Sequence, residues 1–393
     1  MVLIYVVLIF FIMKILIVSM TPSHPITSGN RKWIFEQVKY LMDRRNEVFF
    51  LYVSCPVLFK TNNDLDSISQ MKTFWGEHLI VYKAGIMSRM KLTFSYKFRK
   101  LFNNGYHTVD DLCPVTLPKY VRSLQQSYKF DACIVNYYWL TKVFDKLVIS
   151  KKALNTHDCF SYRDINGGKY AWMTTTPNEE AKAMQRCNYV FALQEIEAHF
   201  FKHLGPRCKV LDVFCFFKYI PSPVIGNHNI LLLSSNNQYN KNGLLWFINE
   251  VYPHLIDLFP DVKLVVGGSI SETAKTLKEF DIEIKGYVDD PVQFFSLGDV
   301  CINPTFEGTG LKIKTLESVA YDKVTIARNH SIEGIYKQDD APILASDSVK
   351  DWVMFFEKIW SDAKYIKNKK EENQSYLDKM NKYIDTQYDI FFN

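Results

Sequence analysis

The 393-residue sequence has no CxxC pair; its eight cysteines stand apart at 55, 113, 133, 159, 187, 208, 215 and 301. That scatter excludes a zinc knuckle and a dense disulfide scaffold, and it fits a reducing, cytoplasmic setting. Concentrated basic charge is missing too. A formal net charge of +5 over this length is too dilute for the footprint that nucleic acid demands, so no nucleic-acid partner is expected. No GxGxxG follows the first apolar strand, which argues against a dinucleotide-dependent dehydrogenase. Long apolar runs are also lacking. The twelve residues MVLIYVVLIFFI at 1–12 fall short of the roughly 20 that a spanning helix needs, and they reach that length only by consuming KILIVS, which reads as a buried strand. The preferred reading takes Met13 as the functional start and 1–12 as an apolar extension; the alternative is a membrane anchor or signal-like segment.

What is present is an alternation of strands and helices in a chain long enough for two domains. KILIVSM, a turn through TPSHPITSGN, the helical RKWIFEQVKYLMDRR and the strand EVFFLYV make a βαβ opening. Apolar runs at 131–135, 151–155 and 189–193 continue it as a parallel sheet. After YIPSPV at 219–224 the alternation restarts with NILLLSS, GLLWFINEVYPHLIDLF, VKLVVGG, IEIKGYV, VCINP and KVTIA. The fold class is therefore α/β, with a first domain over 13–218 and a second over 219–375. A C-terminal helix over 376–393 is expected to pack back on the first domain, and the Lys/Asn/Glu-rich stretch from Lys364 reads as a solvated helix. Two open sheets leave a cleft at the carboxyl ends of their strands, which is where such sheets bind ligands.

GTGLKIKTLE, Gly308 to Glu317, follows the strand VCINP and is the most chemically loaded stretch. Glycines allow close backbone approach, lysines neutralise phosphate, and a helix start adds aligned N–H groups. Lysines at a helix start oppose the helix dipole, and that unfavourable placement points to an anionic ligand.

The second half resembles the nucleotide-sugar-binding domain of glycosyltransferase family 4, retaining enzymes of the GT-B fold. The resemblance rests, in order, on Gly243-Leu-Leu-Trp-Phe, GYVDD at 286–290, GDVCINP at 298–304, GTGLKIKTLESVAYDK at 308–323 and Glu333-Gly334. The first half is similar to the acceptor side of that family through TPSHPITSGNRK, THDCFSYR at 156–163 and EEAKAMQRCNYVFALQEIE at 179–197. The resemblance implies two Rossmann-like domains facing each other across a cleft. It implies a UDP- or GDP-linked sugar as donor, a glycan or lipid-linked acceptor, and hexosyl transfer in cell-surface polysaccharide synthesis. No metal and no separate cofactor are implied.

The resemblance also implies site residues. Glu317 would accept the ribose hydroxyls, and Lys314, with Lys312, would neutralise the departing diphosphate. Gly308, Thr309, Gly310 and Val288 would line the donor site, and Gly29 would let its loop approach the phosphates, with Arg31 nearby. Lys241, in SSNNQYNKN, stands where relatives place a basic residue, with a plain surface turn as the alternative. His157, flanked by Asp158 and Arg163, would meet the donor sugar near the reacting carbon. Many relatives carry two glutamates separated by seven residues; here Thr309 takes the first place and Glu307 lies two positions too early, so its part in holding the sugar stays open. That departure motivates the alternative of a non-catalytic sugar-nucleotide-binding protein.

Other constellations carry less. Asp64-Leu-Asp66 has the form of a metal motif of the other glycosyltransferase fold but sits in the polar stretch TNNDLDS, and His199 and His203 lack a third ligand. Ser88 to Phe102, SRMKLTFSYKFRKLF, interleaves five basic residues with aromatic and aliphatic ones and contains no acid. That is the composition of a helix lying on anionic lipid, with a helix packed on its own domain as the alternative.

Overall fold

Ile15, Leu16, Ile17 and Val18 are all fully buried, and they explain why KILIVS shows no alternation. A central parallel strand is covered on both faces, so each successive side chain enters a core. Leu16 and Val18 enter one core; Ile15 and Ile17 enter the other, among Trp33, Val38 and Phe50. The computed structural model describes residues 13–26, 28–54, 64–102, 106–163, 173–205 and 207–393. The N-terminal extension at 1–12 lies outside the described residues.

The first sheet is assembled from β1 (Lys14–Ser19), α1 (Gly29–Asp43), β2 (Glu47–Ser54), α2 (Asp64–Trp75), β3 (Leu79–Lys83), α3 (Ile86–Phe102), α4 (Leu117–Tyr128), β4 (Ala132–Asn136), β5 (Lys151–Asn155), α5 (Pro177–Met184), β6 (Tyr189–Ala192), α6 (Glu195–Leu204) and β7 (Lys209–Asp212). Its seven strands run in the order β3-β2-β1-β4-β5-β6-β7, with β1 pairing in parallel to β2 and β4.

The second sheet follows with β8 (Asn229–Leu233), α7 (Gln238–Trp246), α8 (Tyr252–Leu258), β9 (Lys263–Gly267), α9 (Ser271–Ala274), β10 (Ile282–Gly286), α10 (Pro291–Phe295), β11 (Val300–Asn303), α11 (Ile313–Ala320), β12 (Val324–Ala327), β13 (Ile343–Ala345), α12 (Val349–Ser361) and α13 (Ala363–Phe392). Its six strands run β10-β9-β8-β11-β12-β13. A π-helical segment, Phe247–Val251, joins α7 to α8 just before Pro253, where the missing N–H interrupts the regular ladder.

The segment between the sheets is pinned by buried charge. Asp299 Oδ2 accepts from the backbone N–H of Ile225 and Gly226 at 2.8 and 2.7 Å. Lys370 Nζ donates to the carbonyls of Ser222 and Pro223 at 3.1 and 2.9 Å, and Lys323 Nζ to Ser222 Oγ at 2.8 Å.

The tail departs from the expectation of a solvated helix. α13 is one element of 30 residues, and it buries Ile366, Asn373, Leu377, Met380, Ile384, Tyr388 and Phe391, a stripe at helical spacing hidden in the sequence by the lysines and acids between. Ile366 joins the core of the second lobe, whereas Leu377, Met380, Ile384 and Phe391 join a core of the first. Tyr388 accepts from Gln37 Nε2 at 2.9 Å, and Asp385 and Asp389 pair with Arg44 at 3.0 and 2.7 Å.

Candidate functional site

The cleft floor on the second lobe is the connection from β11 to α11. Gly308 and Gly310 have φ of +107° and +79°, a backbone that side chains strain to adopt, and a Cβ on Gly308 would press the Tyr239 ring at 3.3 Å. α11 then begins at Ile313 with no acidic residue in its first turn and no side-chain cap; the Ile313 and Thr315 N–H groups donate to the carbonyls of Leu311 and Lys312, each at 2.9 Å. Lys314, in that turn, meets only neutral oxygens in its hydrogen bonds. Its Nζ donates to Asn240 Oδ1 at 2.6 Å and Thr305 Oγ1 at 2.7 Å, with Ser234 Oγ at 3.5 Å. Burial, aided by the charge of Lys312, lowers its pKa to about 7. An ammonium held without a counter-charge is a place where an anionic ligand would be favoured.

Lys312, at the N-cap position of α11, curls back, its Nζ donating to the carbonyls of Gly310 and Gly308 at 3.1 and 3.3 Å, and His330 Nε2 reaches the Gly308 carbonyl at 2.8 Å. The glycine loop is thus fixed from two sides. Glu307 opens that loop. Val288 packs against Gly267, where a Cβ would lie 2.8 Å from its Cγ2. Lys241 falls inside α7 and not in a loop; its neighbour Asn240 is the residue that reaches Lys314.

From the first lobe, α1 points its N-terminus at the same place. It starts at Gly29 without an acid in its first turn, and a Cβ there would lie 3.5 Å from Ile313 Cδ1, so two helix N-termini face each other. Lys32, one turn along, forms an ion pair with Glu317 of α11.

The loop after β5 supplies the rest. His157 has φ of +63° and stacks on Tyr137 at 4.2 Å, with Trp33 edge-on at 5.2 Å. Its Nε2 lies 2.6 Å from Asn136 Oδ1. Burial lowers its pKa to about 3, so the ring is neutral, and with Nε2–H donating to Asn136 the Nδ1 atom is left as acceptor. Asp158 Oδ2 accepts from Arg163 Nη2 at 2.8 Å and from Thr309 Oγ1 at 2.6 Å, while Arg163 Nε donates to Thr309 Oγ1 at 3.0 Å.

Two buried glutamates hold this loop in shape. Glu180 accepts from the N–H groups of Phe160 and Ser161 at 2.9 and 3.0 Å, and Glu197 from Cys159 N–H at 3.1 Å. Burial raises Glu180 to about 7 against those hydrogen bonds; burial and the Asp158 carboxylate raise Glu197 well above the usual carboxyl range. Sequence reasoning assigned no role to Lys32, Glu180, Glu197, Asn240 or Thr305. Glu180 and Glu197 do lie in the quoted stretch 179–197, but nothing in their spacing says that they face backbone amides. Among the described residues no group of three His, Cys, Asp or Glu is placed to hold a metal ion, and His203 Nδ1 faces its own helix at the His199 carbonyl.

Comparison with known proteins fits this geometry. Residues 227–362, which contain the second sheet, match the family of glycosyl transferases group 1. A solved structure of a variant of S. aureus TarM, in complex with fondaparinux, alpha-GlcNAc-glycerol and UDP, superposes with a TM-score of 0.66 at 11% identity, covering 97% of this chain and 100% of that one. Anabaena HepE in complex with UDP superposes with a TM-score of 0.61 at 14% identity, covering 96% and 100%. The chain has the GT-B fold, and its second lobe is similar to the glycosyl transferases of group 1. An uncharacterized 44.6 kDa protein in the cps region of Klebsiella pneumoniae is 26% identical over 157 residues, 37% of this chain; the match spans 40% of that relative's length.

Proposed function

We propose that the protein is a retaining glycosyltransferase of family 4 that transfers a sugar from a UDP- or GDP-linked donor to a glycan or lipid-linked acceptor, in the assembly of a cell-surface polysaccharide. The observation that carries this reading is Lys314: an ammonium surrounded by neutral oxygens, at a helix N-terminus, behind two left-handed glycines. The structures of TarM and HepE hold UDP, and the cps-region relative supports a polysaccharide setting.

In this reading the diphosphate lies between the N-termini of α1 and α11. Glu317 holds the ribose, Val288 lies beside the base, and Lys314 takes up the charge that develops on the leaving diphosphate, the part that a metal plays in other folds. His157 and Asp158 face the sugar from the first lobe. Geometry and fixed charge then supply the catalysis, without a covalent nucleophile.

The same reading gives α3 a partner, the anionic membrane on which a lipid-linked acceptor would sit. Ile86, Met90, Phe94 and Phe98 form an exposed i, i+4 row, 76, 63, 68 and 44% exposed, with exposed Lys91 and Lys97 beside it. Among the described residues no helix is long and apolar enough to cross a membrane.

Calorimetry with UDP-, GDP- and ADP-sugars, beside release of nucleoside diphosphate with and without acceptor, tests the proposal. One donor that binds and turns over is the expected result. Tight binding with no release under any acceptor favours the non-catalytic alternative, and no nucleotide binding at all removes the donor site from 308–317.

A further inference from the structure

Lys32 is out of place by the rules of its own helix. It lies in the first turns of α1, where the dipole disfavours a cation, and its side chain is only 19% exposed. What offsets that cost is across the cleft: the ammonium pairs with Glu317, whose side chain is 12% exposed, and its other side lies 5.7 Å from the Phe217 ring. Burial works against the charged lysine, yet Glu317 overcomes it and leaves the Lys32 pKa above its usual value, with Tyr321 of α11 and Cys215 of the inter-lobe segment adding in the same sense. One turn further along α1 stands Glu36, raised by burial and by Glu317 and lowered by Lys32 and Lys39. Lys32 therefore pairs with a carboxylate of the other lobe and acts on a second one of its own helix, in a place where water is scarce.

A carboxylate that receives two vicinal hydroxyls must be ionised and fixed in direction, because its acceptor strength comes from its charge. We infer that Lys32 is a positioning residue for nucleotide binding: from the first lobe its ion pair aims the Glu317 carboxylate, so that the ribose-binding group of the second lobe is complete only when the lobes are together. This inference rests on the reading of Glu317 as the ribose carboxylate. In Lys32→Met, Glu317 loses its partner and Glu36 loses a nearby cation while still feeling the charge of Glu317, so the negative charge at this point is uncompensated and a proton bound there relieves it.

The test is UDP and GDP binding by calorimetry to the full chain between pH 6 and 8. Lys32→Met weakens nucleoside diphosphate binding roughly tenfold at pH 7 and by more at pH 6, whereas Lys32→Arg recovers most of the affinity. Glu36→Gln placed in the Lys32→Met chain recovers part of the loss, and in a Glu317→Gln chain Lys32→Met adds none. Wild-type affinity in Lys32→Met at every pH overturns the inference, as does a loss that persists undiminished in the Glu317→Gln chain. If the unsubstituted protein binds neither nucleotide, the reading of Glu317 itself falls, and this inference with it.

Discussion

Thr309 on the glycine loop of the second lobe donates its hydroxyl to Asp158 of the first at 2.6 Å. The negative charge at that point of the cleft thus comes from the opposite lobe, and Arg163 binds both partners. Removing Thr309 with valine costs about 1 kcal/mol, the worth of an ordinary hydrogen bond. Asp158→Ala leaves Arg163 buried without a carboxylate, which costs about 3–5 kcal/mol and falls toward the lower figure because Glu197 loses a like-charged neighbour. Chemical denaturation of the two variants should show that order; equal losses would mean that Arg163 finds another acceptor.

If Lys314 meets the donor diphosphate as proposed, donor binding is a proton-linked event. Its pKa of about 7 in the free protein means that the ammonium is fully present below that pH and lost above it, while a bound diphosphate favours the charged form. Binding of UDP at pH 8 should therefore take up close to one proton, seen as a heat that varies with the ionisation enthalpy of the buffer, and at pH 5.5 none. Lys314→Met should abolish the uptake and reduce turnover by about 30- to 1000-fold, corresponding to roughly 2–4 kcal/mol of lost transition-state stabilisation. Uptake that survives the substitution would place the titrating group elsewhere.

His157 links stability to acid. Its folded pKa of about 3 lies below the ordinary 6.5, so the stability it contributes is complete above pH 6.5 and drains away as pH falls toward 3. Glu180 acts in the opposite sense: raised to about 7, it makes the fold less stable as pH climbs from the usual carboxyl range through neutrality. His157→Asn keeps a residue that accepts the left-handed backbone and should flatten the acid limb of the stability curve between pH 6 and 4. The same variant should bind nucleotide normally and transfer sugar slowly. Weakened nucleotide binding would contradict a contact with the sugar alone.

The central strands of both sheets were legible because parallel strands buried on two faces spell themselves out as unbroken apolar runs, KILIVS and NILLLSS among them; the edge strands β3, β7 and β13, short and only partly buried, were not. The glycine loop was legible because Gly308 and Gly310 stand beside lysines that nothing local explains. The partners were not. Lys32 meets Glu317 and Asp158 meets Thr309 across 285 and 151 positions of sequence, and such pairs depend on how the lobes face each other. The buried stripe of α13 stayed hidden for another reason: its period is diluted by Asn373 and Lys370, polar residues buried against the Lys323 carbonyl and the linker carbonyl of Ser222.

α3 should act as two separable anchors. Phe94→Ser with Phe98→Ser lowers co-flotation with anionic vesicles at every salt concentration, since the loss is of buried apolar area. Lys91→Gln with Lys97→Gln costs about 1 kcal/mol per charge at low ionic strength and little at high. Flotation that ignores both pairs would leave α3 without a membrane role.

The chain passes between the lobes twice, once in the segment before β8 and once in α13. The two passages lie side by side, tied by Lys370 to Ser222 and by Asn381 Nδ2 to the Phe217 carbonyl at 2.7 Å. Two adjacent tethers act as the pin of a door: sliding and twisting are suppressed, and what remains is a swing about a single line. Since the last turns of α13 are seated in the first lobe, they must travel with it while the first turns stay with the second. The opening of the cleft is then a bending of one rod about 45 Å long. In the proposed reading, the stiffness of that rod resists the parting of the mouth through which a spent nucleotide would leave.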